Sequence, residues 1–309
     1  MLDVRRLKVL REVAARGSFS AAADSLSFTQ SAVSQHVAAL ERETGSTLLE
    51  RGPRGIRLTD AGRALVAHAD AILARIDDAE EELAAIAGLR GGRLRLACFQ
   101  SAGATLVPQA VAAFHKRHPQ VELGMIEAEP DEAGARLRAG DIDLALVYDF
   151  EEIPGMLDAG LELTHLTDDV YDAILPADHA LAARKSVRLR DLSEASWIAS
   201  SEPCGCRKIT EHACRAAGFT PRIAFEYDET LAAQALVAAG VGVAVMPQLA
   251  LSVVHPGVVA LPLGPDAPVR RVWAARVAEA YRSPASEAML QILRDVAENF
   301  GGARLERVA

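Results

Sequence analysis

Residues 19–40 read FSAAADSLSFTQSAVSQHVAAL. Ser18 or Ser20 can cap a short helix that carries the three consecutive alanines, and Thr29 can cap a longer helix after the turn. Small residues let two helices cross closely where they meet, which a helix-turn-helix requires. The stretch therefore predicts a helix-turn-helix, preceded by a first helix over residues 2–15.

The longer of these helices carries a cluster of polar side chains near its start, while Val33 and Val37 suit its core-facing side. The start of such a helix enters the DNA major groove, where hydroxyls and amides reach base edges and phosphates. Any one of these residues is equally well explained as a solvated surface group, but the set favours DNA contact. The predicted DNA-contacting residues of the helix-turn-helix are Ser18, Thr29, Gln30, Ser31, Ser34, Gln35 and His36.

The next segment predicts a β-hairpin around the turn at residues 52–55. It places three arginines, Arg51, Arg54 and Arg57, where they can meet the DNA backbone or minor groove. The first 60 residues hold nine Lys and Arg against seven Asp and Glu, whereas the whole chain has a net charge of −9. A basic head on an acidic body favours local, specific DNA contact over general polyanion binding.

Residues 59–88 predict one long helix with Thr59 as its cap. Its apolar residues recur at alternating spacings of four and three, which is typical of a coiled-coil seam: Leu65, Ala69, Ile72, Ile76, Ala79, Leu83 and Ile86. Packing of this helix on its own domain is the alternative, but that packing favours a wider apolar stripe. We therefore predict that the helix joins copies of the chain into a homodimer or homotetramer.

From residue 91 onward, short apolar runs alternate with helical stretches, which predicts an α/β fold with helices on both faces of largely parallel sheets. Nearly 220 residues of this pattern predict two lobes with a cleft between them. The predicted domains are 1–58, 59–90 and 91–309. The predicted strands are Leu94–Phe99, Val121–Glu127, Ile142–Val147, Val170–Leu175, Trp197–Ala199, Ile223–Glu226, Val241–Val245 and Val272–Ala275.

The composition excludes several classes of protein. Half of the chain is apolar and 24% is charged, which is typical of an ordinary globular protein. The sequence has no run of 18 apolar residues and no signal-peptide pattern, so we expect a cytoplasmic protein. It also lacks phosphate-binding loops, a nucleophile elbow and a His-Glu-x-x-His motif, so we expect neither an enzyme nor a bound cofactor or metal.

The whole pattern resembles the LysR-type transcriptional regulators. The segments that carry the resemblance are FSAAA at 19–23, TQSAVSQ at 29–35, ALE at 39–41, LLER at 48–51, LTDAG at 58–62, GDIDLA at 140–145 and GVGVAVMP at 240–247. The resemblance is dense over residues 1–65 and looser but continuous to the C-terminus. The family often has proline where Ser31 stands, and either residue fits the first turn of a helix.

The resemblance implies a winged helix-turn-helix, a linker helix and a two-lobed effector domain similar to periplasmic binding proteins. Lobe I would take residues 91–162 and 267–300, and lobe II would take 163–266. A small-molecule effector would lie in the cleft, and the oligomer would bind an inverted-repeat promoter site and contact RNA polymerase.

Three segments that follow predicted strands suit such a cleft, because hydroxyls and free backbone N–H groups there can hold an anion. Plain helix capping is the alternative for each. Glu202, Asp228 and Glu229 would instead suit a cationic or amino-bearing effector, so the charge of the effector stays open. The predicted effector-binding residues are Gln100, Ser101, Ala102, Thr105, Ser201, Glu202, Cys204, Tyr227 and Asp228.

The cysteines offer an alternative function within the same architecture. Cys204, Cys206 and Cys214 fall where some members of the family sense peroxide through a thiol pair, and a nearby His212 allows a metal site. However, one residue between Cys204 and Cys206 is not the usual zinc spacing, and Cys214 is predicted to face the core of a helix. Inert or cavity-lining thiols are therefore favoured over a redox-sensing or metal-responsive regulator.

Overall fold

The structure is a computed structural model that describes residues 2–52, 55–86 and 92–308. The chain forms two compact units. The N-terminal unit takes Met1–Gly92 with Ala135–Ile142, and the C-terminal unit takes Arg93–Gly134 with Asp143–Ala309.

The N-terminal unit begins with three helices, α1 (Val4–Arg16), α2 (Phe19–Leu26) and α3 (Gln30–Thr44). Helix α1 starts later than predicted because the Asp3 side chain accepts hydrogen bonds from two of its first backbone N–H groups. Ser18 caps α2, and Thr29 caps α3 by accepting from the Ala32 N–H at 3.2 Å. The predicted helix-turn-helix is confirmed.

A small apolar core fixes these helices and the strands that follow them. One cluster joins α1, α2 and α3 through the buried residues Val9, Val13, Ala22, Ala23, Val33 and Val37. Strands β1 (Leu49–Gly52) and β2 (Gly55–Leu58) then form the predicted antiparallel hairpin, with Leu49 opposite Leu58. Arg54 and the side chain of Arg51 lie outside the described part of the structure, whereas Arg57 is exposed.

The junction between this hairpin and helix α4 (Asp60–Ile86) depends on two residues of the LTDAG segment, Thr59 and Gly62. The Thr59 hydroxyl accepts from the Gly62 N–H at 3.0 Å and donates to the Thr47 carbonyl at 2.7 Å. A Cβ at Gly62 would overlap the Leu48 carbonyl oxygen, so only glycine fits this close approach. Thr59 is the predicted cap, and α4 begins one residue after it.

The predicted seam along α4 has two different environments. Ala69 is fully buried in a cluster with Leu40 and Leu48, so the first part of the seam packs on its own unit. Further along, Ile72 is 38% exposed and Leu83 is 66% exposed. The exposed part of the seam is available to a second copy of the helix, and dimerisation stays a prediction.

The C-terminal unit alternates strands and helices. Its strands are β3 (Gly92–Cys98), β4 (Val121–Glu127), β5 (Leu144–Asp149), β6 (Leu161–Pro176), β7 (Ser196–Ala199), β8 (Arg222–Glu226), β9 (Ala244–Pro247), β10 (Val258–Pro262) and β11 (Val269–Val277). Its helices are α5 (Gln100–Gly103), α6 (Leu106–Arg117), the first half of α7 (Pro130–Ala139), α8 (Gly205–Ala216), α9 (Thr230–Ala238) and α10 (Pro284–Val308), and the second half of α7 belongs to the N-terminal unit. The α/β class is as predicted.

The long strand β6 organises the sheet. The strand order is β10-β6-β11-β5-β3-β4, with β9 also on β6, and β7 and β8 form a separate parallel pair. The first part of β6 pairs with β11, and its last part pairs with β9 and β10. The ladder between β6 and β11 shifts register between Val272 and Trp273.

The expectation of largely parallel sheets was wrong in one respect. Strand β3 runs parallel to β5, but β6 runs antiparallel to each of β9, β10 and β11. Only residues 170–175 of β6 were predicted, because the polar side chains before them, including two consecutive aspartates, ended the apolar run. Strand β10 was missed altogether.

A large apolar core lies around the sheet of the C-terminal unit, where Phe99, Tyr148, Tyr171 and Trp197 are all buried. Among the described residues, every helix is too short or too polar to cross a lipid bilayer.

The junction at Gly62 makes a testable prediction. Gly62→Ala should destabilise the N-terminal unit by about 1–3 kcal/mol, because the new methyl group meets backbone that cannot easily move. Urea unfolding followed by circular dichroism measures this loss. Gly92→Ala is the matched control, since a Cβ there meets open space and its free energy of unfolding should barely change. Equal stability of the two variants would contradict the steric explanation.

Candidate functional site

The C-terminal unit contains a cavity of about 820 Å³, a size suited to a small organic molecule. Side chains from the ends of several strands and from the start of α8 line it. They include the aromatic residues Phe99, Tyr148, Tyr171 and Tyr227, the apolar residues Met156, Ile198 and Met246, and the basic residues Lys208 and Arg270. Acidic side chains line it as well: Glu127, Glu129, Asp131, Glu202, Asp228 and Glu229.

Arg270 of β11 is the most deeply buried cation of this lining, with 2% of its surface exposed. It lies directly opposite Asp169 in the ladder with β6 and forms an ion pair with it at 2.7 Å. The same guanidinium donates to the Ser101 hydroxyl at 2.8 Å. Asp169 in turn accepts from the backbone N–H of Leu249 at 2.9 Å. One buried pair therefore connects β6, β11, α5 and the turn after β9.

Two aromatic rings cover the guanidinium of Arg270. Its central carbon lies 4.6 Å from the centre of the Phe99 ring and 4.8 Å from that of Tyr148, which are cation–π distances. Burial alone would lower the pKa of Arg270, but Asp169 and neighbouring groups hold that pKa above its ordinary value. Its Nε–H has no hydrogen-bond partner among the described residues.

A second polar cluster in the cavity centres on the thiol of Cys206, in the first turn of α8. The Cys206 sulfur lies 3.3 Å from the Tyr171 hydroxyl and 3.5 Å from the Tyr148 hydroxyl. Tyr148 donates to the Glu129 carboxylate at 2.6 Å. Cys204, the residue just before α8, lies 3.8 Å from the same Tyr148 hydroxyl. Thiol, phenol and carboxyl thus form a continuous hydrogen-bonded chain.

The pKa values of the groups in this hydrogen-bonded chain are shifted in opposite directions. Desolvation by the cavity walls raises the pKa of Glu129, so its carboxyl group holds a proton more tightly than a glutamate in free solution does. The pKa of Cys206 is lowered by a hydrogen bond with Cys204, by the charge of Arg270 and by the two tyrosine hydroxyls, although burial opposes them. The hydrogen bond with Cys206 and burial raise the pKa of Cys204. Cys206 is thus the thiol of this pair that ionises first.

Most of the predicted effector-binding residues line this one cavity: Gln100, Ser101, Ser201, Glu202, Cys204, Tyr227 and Asp228. Two hydrogen bonds connect their segments, from the Thr230 hydroxyl to Gln100 at 3.0 Å and from the Ser201 N–H to Asp228 at 2.9 Å.

Two predicted residues do not line the cavity. Ala102 is packed in the apolar core, and the Thr105 hydroxyl is directed to the Ser101 carbonyl at 2.6 Å. Both lie on the buried side of the segment, because the chain turns away from the cavity after Ser101. Helix capping, the alternative for these segments, applies to Glu229, which accepts from the first N–H groups of α9.

Sequence reasoning missed Arg270, Tyr148, Tyr171 and Glu129 as cavity residues. For Arg270 a signal was present in the sequence. Alternate residues of a strand share a face, and this places Arg270 on the side of Val272 and Ala274, which are both buried. A cation on a buried strand face needs a partner, and the acidic pair ahead of residue 170 was a candidate.

The remaining cysteines lie apart from this chemistry. Cys214 is buried in the core on α8, and burial raises its pKa to about 12. It does not line the cavity with Cys204 and Cys206. Within the described ranges, the structure groups no three His, Cys, Asp or Glu side chains as a metal site would require.

The start of α3 presents the predicted DNA-contacting side chains to solvent. Gln30, Ser31, Ser34 and Gln35 are exposed. The other three predicted residues of the helix-turn-helix make local contacts: Ser18 and Thr29 cap helices, and His36 stacks on Phe28 with ring centres 5.8 Å apart.

The N-terminal unit is a helix-turn-helix whose α3 starts with polar, exposed residues, and the C-terminal α/β unit contains a cavity of ligand size. These two features define a ligand-responsive DNA-binding protein. Residues 4–63 match the model of the bacterial regulatory helix-turn-helix proteins of the lysR family, and residues 87–298 match that of the LysR substrate binding domain. The chain belongs to the LysR family of DNA-binding transcriptional regulators, whose C-terminal domain binds effectors.

Individual relatives match this chain along nearly its whole length. The probable HTH-type transcriptional regulator LrrA of Synechococcus elongatus is 33% identical over 96% of this chain and 98% of its own length. A variant of full-length OxyR from Pseudomonas aeruginosa superposes with a TM-score of 0.74 at 24% identity, covering 96% of this chain and 95% of that one. Full-length CbnR complexed with its target DNA superposes with a TM-score of 0.67 at 24% identity, covering 96% of this chain and 100% of that one. The two solved structures show the shared fold.

The buried ion pair makes a testable prediction. Asp169→Asn should lower the free energy of unfolding of the C-terminal unit by about 3–5 kcal/mol, because it leaves the Arg270 charge buried without its counter-ion. Thermal unfolding of the full chain measures the loss. Asp168→Asn is the matched neighbour, since Asp168 pairs with His165 at the surface and its loss should cost under about 0.5 kcal/mol. Similar losses in both variants would show that Asp169 has no special role.

Proposed function

We propose that a small organic effector binds in the cavity around Arg270 and thereby controls DNA binding by this LysR-type regulator. The observation that carries the proposal is a buried arginine in an 820 Å³ cavity with an Nε–H that has no partner among the described residues. An unsatisfied buried donor costs free energy, which an acceptor on a bound molecule recovers. The effector therefore carries a carbonyl or carboxylate oxygen at its inner end.

The acidic part of the lining bears on the other end of the effector. Glu202 and Asp228 are exposed, and they suit a hydroxyl or amino group. The sequence left the charge of the effector open. In this proposal the effector has two different ends: a hydrogen-bond acceptor faces Arg270, and a hydrogen-bond donor faces the acidic residues. Gln100, Ser101, Ser201 and Tyr227 complete the set of contacts.

The effector acts by population shift in this proposal. It binds one arrangement of the cavity walls more tightly than another, and only that difference in affinity can change the protein. The preferred arrangement alters how paired N-terminal units engage DNA and how sharply the DNA bends. Solution scattering with and without a saturating effector measures the change in arrangement.

The DNA-bound form in this proposal is a homodimer or homotetramer joined by the exposed part of the α4 seam. Two recognition helices then meet the two halves of an inverted repeat. The structure of CbnR with its target DNA supports this use of the shared fold. Contact with RNA polymerase and a cytoplasmic location stay predictions.

Thiol oxidation is a second candidate function, favoured by the contact of Cys204 and Cys206 with one Tyr148 hydroxyl. The Cys206 thiolate would attack a peroxide and become a sulfenic acid, releasing water. The Cys204 thiol would then displace a second water to form a disulfide. Hydrogen peroxide followed by mass spectrometry without reductant tests this function. A two-hydrogen loss confined to these residues would support it, and its absence would contradict it.

Base readout by α3 makes a testable prediction. Gln30→Ala or Gln35→Ala should reduce the preference for the cognate half-site by about 1–3 kcal/mol per lost base contact. Arg57→Ala should instead weaken binding to all sequences and lower the slope of the salt dependence by about one. Gel shifts on half-site variants at several salt concentrations separate these effects. Gln120→Ala, at an exposed position of the other unit, is the control. An unchanged ranking of half-sites in both glutamine variants would refute base readout by α3.

Occupation of the cavity makes a separate prediction. A metabolite panel should contain compounds that raise the thermal unfolding midpoint of the full chain, and Ala250→Phe should abolish that rise. Ala250 lines the cavity, so the larger side chain occupies the space of the effector. Ala216→Phe, exposed on α8, is the matched control and should keep the response. An effector that stabilises both variants equally binds elsewhere, which would overturn the proposal.

A further inference from the structure

We propose that Cys206 is a covalent capture site for an electrophilic effector, an α,β-unsaturated carbonyl compound bound beside Arg270. This inference rests on the proposed function, because it names the chemical class of effector that the same cavity takes. Three neighbouring features of the cavity lining support it. The Cys206 thiol contacts two tyrosine hydroxyls, a hydrogen-bonded chain can accept the proton of that thiol, and Arg270 has an N–H donor without a partner among the described residues.

The first feature makes Cys206 a nucleophile. Its sulfur contacts the hydroxyls of Tyr148 and Tyr171 at 3.5 and 3.3 Å, and both can donate to a thiolate. It also lies in the first turn of α8, where backbone N–H groups favour negative charge. The lowered pKa of Cys206 agrees with this placement. Cys206 is partly accessible and lines the cavity, so an organic molecule can reach it.

The second feature stores the proton that Cys206 releases. The chain runs from the Cys206 thiol to the Tyr148 hydroxyl and from there to the Glu129 carboxylate, 2.6 Å away. Shifting each proton by one position leaves a thiolate on Cys206 and a neutral carboxyl on Glu129. The raised pKa of Glu129 favours this distribution.

The third feature polarises the electrophile. A carbonyl oxygen that accepts from the Arg270 Nε–H places its negative charge beside a buried cation. Addition of the thiolate increases that negative charge, so the interaction strengthens as the reaction proceeds. The cavity volume of about 820 Å³ also suits an organic compound better than a peroxide molecule.

The reaction is the addition of a thiol across a carbon–carbon double bond. The Cys206 thiolate forms a bond to the β-carbon, and the π electrons of the double bond move toward the carbonyl oxygen to give an enolate. The proton stored on Glu129 passes through the Tyr148 hydroxyl to the α-carbon and restores the carbonyl. One S–H hydrogen and one sulfur are added to the double bond, with no oxidant or reductant.

The other thiols are poor competitors. Burial raises the pKa of Cys98 to about 11 and that of Cys214 to about 12, and neither lines the cavity. Cys204 lines the cavity, but its pKa is raised by its hydrogen bond with Cys206 and by burial. Selective modification of one cysteine in four is therefore expected.

Methyl vinyl ketone is a suitable probe, applied to the full-length protein with its target DNA. Peptide mass spectrometry at intervals gives the rate at each cysteine between pH 5 and 9. At pH 7, Cys206 should react at least about tenfold faster than any other cysteine, as its greater thiolate fraction requires. Tyr148→Phe and Glu129→Gln should each slow it about tenfold, equivalent to one pKa unit. Tyr281→Phe is the matched control, because Tyr281 is not part of the cavity lining, and should keep the full rate.

A gel shift before and after modification provides the functional measurement. The adduct should change DNA affinity, and the DNA affinity of Cys206→Ser should be the same before and after treatment with the probe. Fastest modification at another cysteine, or rates at Cys206 unaffected by Tyr148→Phe, would overturn the proposal. Oxidation of Cys206 by hydrogen peroxide without modification by the ketone would overturn it in favour of the second candidate function.

The outcomes also separate this inference from the proposed function. If the ketone leaves Cys206 unmodified while a metabolite still stabilises the protein and Ala250→Phe removes that effect, only covalent capture fails. If Cys206 is fully modified without a change in DNA affinity, covalent capture as an effector response fails. If, in addition, no metabolite stabilises the protein, the proposed function fails with it.

Discussion

The ion pair between Arg270 and Asp169 determines both the architecture and the chemistry of the C-terminal unit. A buried pair of charges is tolerated only when further hydrogen bonds satisfy it, and here Ser101 and the Leu249 N–H supply them. Because the two residues face each other across β6 and β11, the pair fixes the register of these strands. It also brings α5 and the turn after β9 to the same point, and the cavity lies there.

The same cation influences the thiol chemistry nearby. Arg270 is neutralised by Asp169, yet its field still favours the thiolate of Cys206. Desolvation in the cavity raises the pKa of Glu129, although its hydrogen bond with Tyr148 and the charge of Arg270 oppose this shift. The pKa values of two acidic groups joined by one tyrosine hydroxyl, Cys206 and Glu129, are thus shifted in opposite directions. This asymmetry is what suits the cluster to proton transfer.

Local sequence signals predicted the N-terminal unit well. Caps such as Thr29, small residues such as Ala22 and the turn of the hairpin act over a few residues, so the sequence shows them directly. In the C-terminal unit, the segments that end at Gln100, Ser201 and Asp228 were predicted from strand–helix alternation. Arg270 and Glu129 were not. The buried strand face of Arg270 indicated that this cation needs a counter-ion, but the contacts that bring Arg270 and Glu129 into the cavity come from partners far away in the chain. The length of β6 was missed for a related reason: its polar half is a strand only because β11 lies beside it.

The register shift in the ladder between β6 and β11 has a mechanical consequence. In a regular ladder the two strands follow one another closely, whereas an irregularity bends one strand and increases the local twist. The shift lies between Val272 and Trp273, only two residues beyond Arg270. The ion pair that anchors the cavity therefore lies next to a bend in the ribbon of β6 and β11, so a bound molecule that contacts Arg270 acts close to the point where the direction of the strands changes.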